Sequence, residues 1–242
     1  MPSRGHTSMI REESAVRIAG LLILLLLVFP VLGKEAVQAY HAEYSLMLNG
    51  FKVGELHRTV QHQDNGNYLS TTTAYTTGLA SWFKPDVAIE TSEWRMVDDW
   101  PRPLVYTYAY SGRGKEVWER LDFDWEAGIV HSLNHGKLTP VELEARVLDN
   151  QIFELAMRRA IARGTRAHIY QIAQRDRILD YEFMVMGAET LSSGVFGSVE
   201  TIKVQRGSTV LWLAPEHDYL VVRIEQQDGI GTVTSYLTRL SH

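Results

Sequence analysis

The most regular acidic pattern is Leu121-Asp122-Phe123-Asp124-Trp125-Glu126, where carboxylates and apolar residues alternate. On a strand that alternation sends the carboxylates to one face and the apolar side chains to the other. Such a row is either a solvated face backed by a core face or an oxygen-rich cation site. A calcium loop of the EF-hand kind needs glycine at its sixth position, where this segment has Ala127 and Gly128 follows one place late. His131 and His135 have the spacing of two ligands on one helix face, yet Ser132-Leu133-Asn134 and Gly136 read as a strand end and a turn. His57 and His62 differ in parity and point to opposite faces of a strand. No zinc site is expected from these histidines, because no third ligand converges on them and the chain has no cysteine. The absence of cysteine also excludes a thiol nucleophile, a disulfide and a lipid-modified cysteine. There is no Gly-x-Ser-x-Gly elbow, and Gly112-Arg113-Gly114-Lys115 is too short for a phosphate loop and reads as a hairpin turn. The residue types give no catalytic constellation and call for no cofactor or metal.

Aromatic side chains carry a stronger signal. Phe51, Trp82, Phe83, Trp94, Trp118, Phe123 and Trp212 are distributed over most of the chain. Core packing is the ordinary role of such residues in a β protein. A curved sheet also uses them to line an apolar cavity, the usual form of a lipid or small-molecule site, and these seven are the candidate ligand-binding residues. Trp82-Phe83 stands apart, because Gly78 before it and Pro85 after it place the pair at a strand connection. An apolar pair there reads as a lid or an insertion tip.

The elements that must position these residues are mostly strands. Tyr44-Ser45-Leu46-Met47-Leu48 leads into Asn49-Gly50, a tight-turn signal, and Phe51-Lys52-Val53-Gly54-Glu55-Leu56 returns. After Asp64-Asn65-Gly66-Asn67, residues 68–77 form a Thr-rich strand. Further strands are expected at 104–110, 116–125, 178–186, 199–205, 209–214, 219–226 and 232–240, separated by short Gly- and Ser-marked turns. One helix is expected, started by Asp149 or Asn150, with apolar Ile152, Phe153, Ala156, Met157, Ala160 and Ile161 at helical spacing and Gly164 as its stop. Residues 78–83 are expected as a short helical turn. Sequential strands with short turns predict a mainly β fold. Its form is an antiparallel meander making a curved sheet or unclosed β-barrel, with one principal α-helix that plugs the interior or lies across one face.

Residues 18–33, IAGLLILLLLVFPVLG, carry no charge and follow Arg11 and Arg17. With the small-residue site Val37-Gln38-Ala39, this order predicts a secretory signal peptide over 1–39 and a single β-rich periplasmic domain over 40–242. Cleavage after Gly33, initiation at Met9 and an uncleaved membrane anchor are the alternatives. A body of ~200 residues buries roughly 70% of its unfolded surface and needs no disulfide to hold it. Net charge is −5 with both signs interspersed, which argues against a nucleic-acid partner.

Tyr44-Ser-Leu-Met-Leu-Asn-Gly-Phe-Lys-Val-Gly54, Thr76-Thr-Gly-Leu-Ala80, Leu121-Asp-Phe-Asp-Trp125, Trp212-Leu-Ala-Pro-Glu-His-Asp-Tyr-Leu220 and Val222-Arg-Ile-Glu225 together resemble the exported bacterial family catalogued as domain of unknown function 3108. The resemblance covers nearly the whole body in order; that family has no agreed activity, so it implies fold and compartment more than chemistry. Trp212, Pro215, Leu220, Arg223 and Glu225 also resemble a segment of periplasmic lipoprotein carriers, with Val221 where those have proline. That resemblance implies an unclosed barrel holding acyl chains; no ligand contacts are carried over from it. The expected function is binding of an apolar or amphipathic envelope molecule, with a lipid or other apolar small molecule as partner. The alternative is a non-enzymatic envelope scaffold that contacts another protein, and membrane contact is expected only through the signal segment or transiently.

Overall fold

The computed structural model of the chain describes residues 37–78, 86–112, 114–229 and 231–242. The apolar run at 18–33 and the Trp82-Phe83 pair lie outside these residues, as does most of the expected turn at 78–83. Among the described residues no helix is long and apolar enough to cross a membrane.

In chain order the strands are β1 (Tyr40–Leu48), β2 (Phe51–His62), β3 (Tyr68–Thr76), β4 (Val87–Val97), β5 (Trp100–Gly112), β6 (Lys115–Asp124), β7 (Ile129–Asn134) and β8 (Lys137–Glu142). Helix α1 (Phe153–Ala162) follows. The second run is β9 (Ala167–Gln174), β10 (Arg177–Ser193), β11 (Gly197–Arg206), β12 (Thr209–Ala214), β13 (Leu220–Asp228) and β14 (Gly231–Ser241). All belong to one 14-stranded sheet in the order β8-β7-β6-β5-β4-β3-β2-β1-β14-β13-β12-β11-β10-β9. Every ladder is antiparallel. Two meanders are therefore joined in the middle of the sheet, where β1 pairs with β14 (Ser45 opposite Tyr236, Leu48 opposite Val233). The edges are β8 and β9, on either side of the helical connection.

The sheet wraps around α1, because the helix segment touches strands far apart in the sheet order. Arg58 of β2 pairs with Glu154 at 2.6 Å, Tyr170 of β9 donates its hydroxyl to the carbonyl of Ala156 at 3.1 Å, and Arg206 of β11 lies over the Phe153 ring. One apolar cluster joins Trp94, Tyr68 and Val60 to Phe153, Met157 and Ile161 and on to Phe183, Val204 and Leu213. The two edges approach one another without forming a ladder. The segment after β8 runs beside β9, with Leu148 and Ile172 in a parallel bridge: Leu148 N–H donates to the Gln171 carbonyl at 2.9 Å and Ala173 N–H to the Leu148 carbonyl at 2.8 Å. A second cluster, Tyr106, Leu121, Phe123, Val130, Val147 and Ala173, packs across that seam. The barrel is plugged by its helix and left unclosed.

The helix starts later than its apolar periodicity predicts. Asp149 accepts the N–H groups of Gln151 and Ile152 at 2.8 and 3.0 Å and so orders the turn before the first helical residue, Phe153. The chain leaves the helix at Gly164, whose φ of +89° is open to glycine and strained for other residues. Strands β4, β7, β8 and β9 are additions to the sequence-based expectation.

Candidate functional site

Antiparallel order puts the β1–β2, β3–β4, β5–β6, β7–β8, β9–β10, β11–β12 and β13–β14 connections at one rim. The β2–β3, β4–β5, β6–β7, β10–β11 and β12–β13 connections lie at the other. Helix α1 runs from the interior toward this second rim, where Asp99 of the β4–β5 turn pairs with Arg159 and Arg163 near its C-terminal end. That half of the interior is filled. Along the inward-facing positions of β3 and β4, Tyr68, Ser70 and Thr72, and Ser92 and Trp94, are all buried. Toward the first rim the same faces open. Ala74 on β3, Ala88 on β4, Val117 on β6, Leu56 on β2 and Leu46 on β1 are only half-buried. Tyr108 on β5 shares that inward face and that partial exposure. Among the described residues the barrel thus has a partly solvent-accessible end, the mouth, with apolar and aromatic walls.

The floor of the mouth is polar. Glu90 of β4 accepts the Tyr106 hydroxyl at 2.6 Å, the Asn150 amide at 2.7 Å and the Gln151 amide at 3.3 Å, and Gln151 in turn accepts the Thr72 hydroxyl at 3.0 Å. Behind it, fully buried Asp149 accepts the Ser92 hydroxyl at 2.5 Å. Burial pushes the Asp149 carboxyl up to about 7, against the opposing Ser92, Ile152 and Gln151 hydrogen bonds. Glu119 on β6, 5% exposed, accepts the Arg175 N–H at 2.5 Å; burial raises its pKa and the Arg175 N–H and charge oppose that rise. Burial disfavours the Arg58 cation, but the charges of Glu154 and the nearby tyrosines outweigh it and hold its pKa above the ordinary value.

Among the described residues, Phe51, Trp94, Trp118, Phe123 and Trp212 do not gather around one cavity. Trp94 is fully enclosed, stacked on Tyr68 at 4.3 Å between ring centroids and donating to Ser70 at 2.8 Å. Phe123 is buried at the seam beside Trp125, whose indole donates to the Pro103 carbonyl at 2.7 Å. Trp212 is buried on the outward face, between Lys203 and Arg223, with its N–H on Glu189 at 2.9 Å. Phe51, 78% exposed, sits at the β1–β2 turn on the mouth rim, and Trp118, 43% exposed, lies on the outward face of β6. Trp82 and Phe83 lie outside the described residues, in the β3–β4 connection. Aromatic type alone does not distinguish these environments, since a core stack, a cation-backed outer face and a rim use the same side chains. The mouth walls were missed because, Tyr108 apart, they are aliphatic; their signal was strand parity toward one end.

The acidic alternation resolves into ordinary parts. Leu121 and Phe123 face the core, Asp122 pairs with Arg120 at 2.6 Å, and Asp124 accepts the N–H groups of Glu126 and Ala127 at 3.1 and 2.9 Å to shape the turn. His131 lies in β7 and His135, with φ of +49°, in the β7–β8 turn. Among the described residues no cluster of three or more His, Asp or Glu is arranged to hold a metal ion.

The family described as protein of unknown function (DUF3108) matches residues 40–238. No curated protein matches the chain. A solved structure, the beta-barrel-like protein of domain of unknown function DUF1849 from Brucella abortus, is similar at a TM-score of 0.57 and 11% identity, covering 85% of this chain and 99% of that one. At that identity the likeness is one of fold.

Proposed function

The chain belongs to the DUF3108 family of proteins of unknown function, and from that premise we propose that it is an exported periplasmic protein that binds an amphipathic envelope molecule. The apolar part of the ligand lies against the half-buried walls of the mouth and its polar end meets the Glu90–Asn150–Gln151 floor. The observation that carries this reading is the loss of burial on the inward faces of β1, β2, β3, β4 and β6 toward a single rim, above a hydrogen-bonded floor. Apolar burial drives such binding at roughly 25 cal/mol per Å² before the costs of association. The apolar run at 18–33 and the Val37-Gln38-Ala39 site support export with cleavage ahead of Tyr40, the first residue of β1. Native mass spectrometry of protein purified from an envelope fraction tests both parts. Expected are a chain beginning at Tyr40 or Lys34 and a co-purified amphiphile; a full-length, persistently empty protein overturns the reading.

A second reading, an envelope scaffold, has its own observation. Val87, Ile89 and Trp118 are 38%, 40% and 43% exposed on the outward face, with Ile89 and Trp118 both opposite Ala109. An apolar strip of this kind suits contact with another protein. Crosslinking through position 118 that returns one protein and no lipid favours it over ligand binding.

A further inference from the structure

We propose that Arg206 selects the ligand's polar end, so that the mouth takes single-chain amphiphiles ending in an oxyanion, a carboxylate or a phosphate. This inference rests on the ligand-binding reading above and names its substrate class.

Arg206 closes β11 at the mouth rim, on the inward face it shares with Val204. Its guanidinium lies 4.9 Å from the ring centroids of both Phe153 and Tyr181, which meet edge to face at 5.8 Å. The guanidinium therefore sits in a corner between two perpendicular rings, one of them at the start of α1, within reach of the Glu90 charge. The carboxylates whose charge reaches it are already engaged. Glu154 is held by Arg58 at 2.6 Å, and Glu90 by Tyr106, Asn150 and Gln151. Among the described residues Arg206 forms no ion pair, and burial lowers its pKa against the opposing influence of Tyr181, Glu154 and Glu90. A half-buried guanidinium flanked by two rings and paired with no carboxylate has N–H donors left for an incoming acceptor. Planar donors of that kind match a carboxylate or phosphate. An oxyanion placed there leaves its chain to run outward along the Tyr108 and Ala88 walls. Arg58 balances the charge of Glu154, and the Glu90 oxygens are occupied by the Tyr106, Asn150 and Gln151 donors.

The test is equilibrium binding of oleate, 1-oleoyl lysophosphatidate, oleyl alcohol and oleylamine to the mature protein and to Arg206→Gln and Arg206→Lys. Expected is at least tenfold tighter binding of one or both anions than of the alcohol, with which of them binds identifying the carboxylate or the phosphate as the natural group. Arg206→Gln removes that preference, bringing anion binding down toward that of the alcohol; Arg206→Lys restores part of it. Equal binding of anion and alcohol by the parent protein overturns the assignment, as does a preference unchanged in Arg206→Gln. Tighter binding of oleylamine also overturns it and gives recognition to Glu90 and Glu119. If Arg206→Gln fails to fold, Arg206→Lys carries the test, and an anion preference as strong as the parent's together with unchanged anion affinity overturns the assignment. Should none of the four probes bind, the ligand-binding reading itself falls, which separates its failure from that of the Arg206 assignment.

Discussion

Asp149 shows how one buried carboxyl ties the helix to the sheet. It accepts two backbone N–H groups ahead of α1 and the Ser92 hydroxyl from β4, entirely out of solvent. Its folded pKa of about 7 lies above that of an unfolded aspartate. The folded state therefore binds the proton more tightly than the unfolded chain, and this group's contribution to stability is full below pH ~4 and lost as pH rises through about 7. Asp149→Asn keeps the acceptor for the two N–H groups and removes the titration. Denaturant unfolding from pH 4 to 8 is expected to show a falling stability in the parent protein and a flatter profile in Asp149→Asn. Asp149→Ala strands the N–H groups and the hydroxyl, at an expected cost of ~1–3 kcal/mol. Parallel pH profiles for the parent and Asp149→Asn would show that Asp149 does not titrate in this range.

The helix is an element held by one internal ion pair, one surface cluster and an apolar stripe. The Arg58–Glu154 pair has side chains only 17% and 12% exposed, so neither charge has water to fall back on. Removing one partner strands the other: Arg58→Met is expected to destabilise by ~3–5 kcal/mol, and adding Glu154→Leu to recover most of that loss. A thermal-denaturation double-mutant cycle measures the coupling, and additive losses would mean that the two charges act independently. Asp99 with Arg159 and Arg163 sits at the surface, where such contacts contribute ~0–1 kcal/mol. The apolar stripe of α1 was legible at helical spacing from the residue types alone. Its start was not, because Asp149 caps a turn that precedes the helix, and a single sequence does not tell a turn-capping from a helix-capping aspartate.

At the scale of the whole molecule, the sheet is strongest at its middle and weakest at its seam. The β1–β14 ladder joins the N- and C-terminal meanders by pairing from His41 to Leu48 with one register shift at Glu43/Tyr44, whereas the β8 and β9 edges are bridged at Leu148–Ile172 and by the packing of Val147 and Ala173. Hydrogen exchange is expected to open the amides of Leu148 and Ala173 before those of Tyr44 and Leu237. Leu148→Ala is expected to cost ~2–5 kcal/mol and to accelerate exchange along β9 first. Equal protection at the seam and at the β1–β14 ladder would mean that the barrel opens only globally.

Alternating strands, Asn49-Gly50 and its fellow turns, one amphipathic helix and the absence of cysteine were enough to specify a curved antiparallel sheet with a single helix. Each is a local property: side-chain parity, φ tolerance and helical period are written within a few residues. The aromatic residues were visible, but their partners were not, since Trp94 meets Tyr68 and Trp212 meets Arg223 only through strand pairing. The pairing of the first strand with the last, the wrapping of the sheet around α1 and the half-open mouth depend on contacts between residues far apart in sequence. So does Arg206, whose two ring neighbours and pre-engaged carboxylates come from a helix and two strands of the sheet. Local chemistry settles which face of each strand is apolar; only the closure of the whole sheet decides which of those faces is filled and which is left accessible.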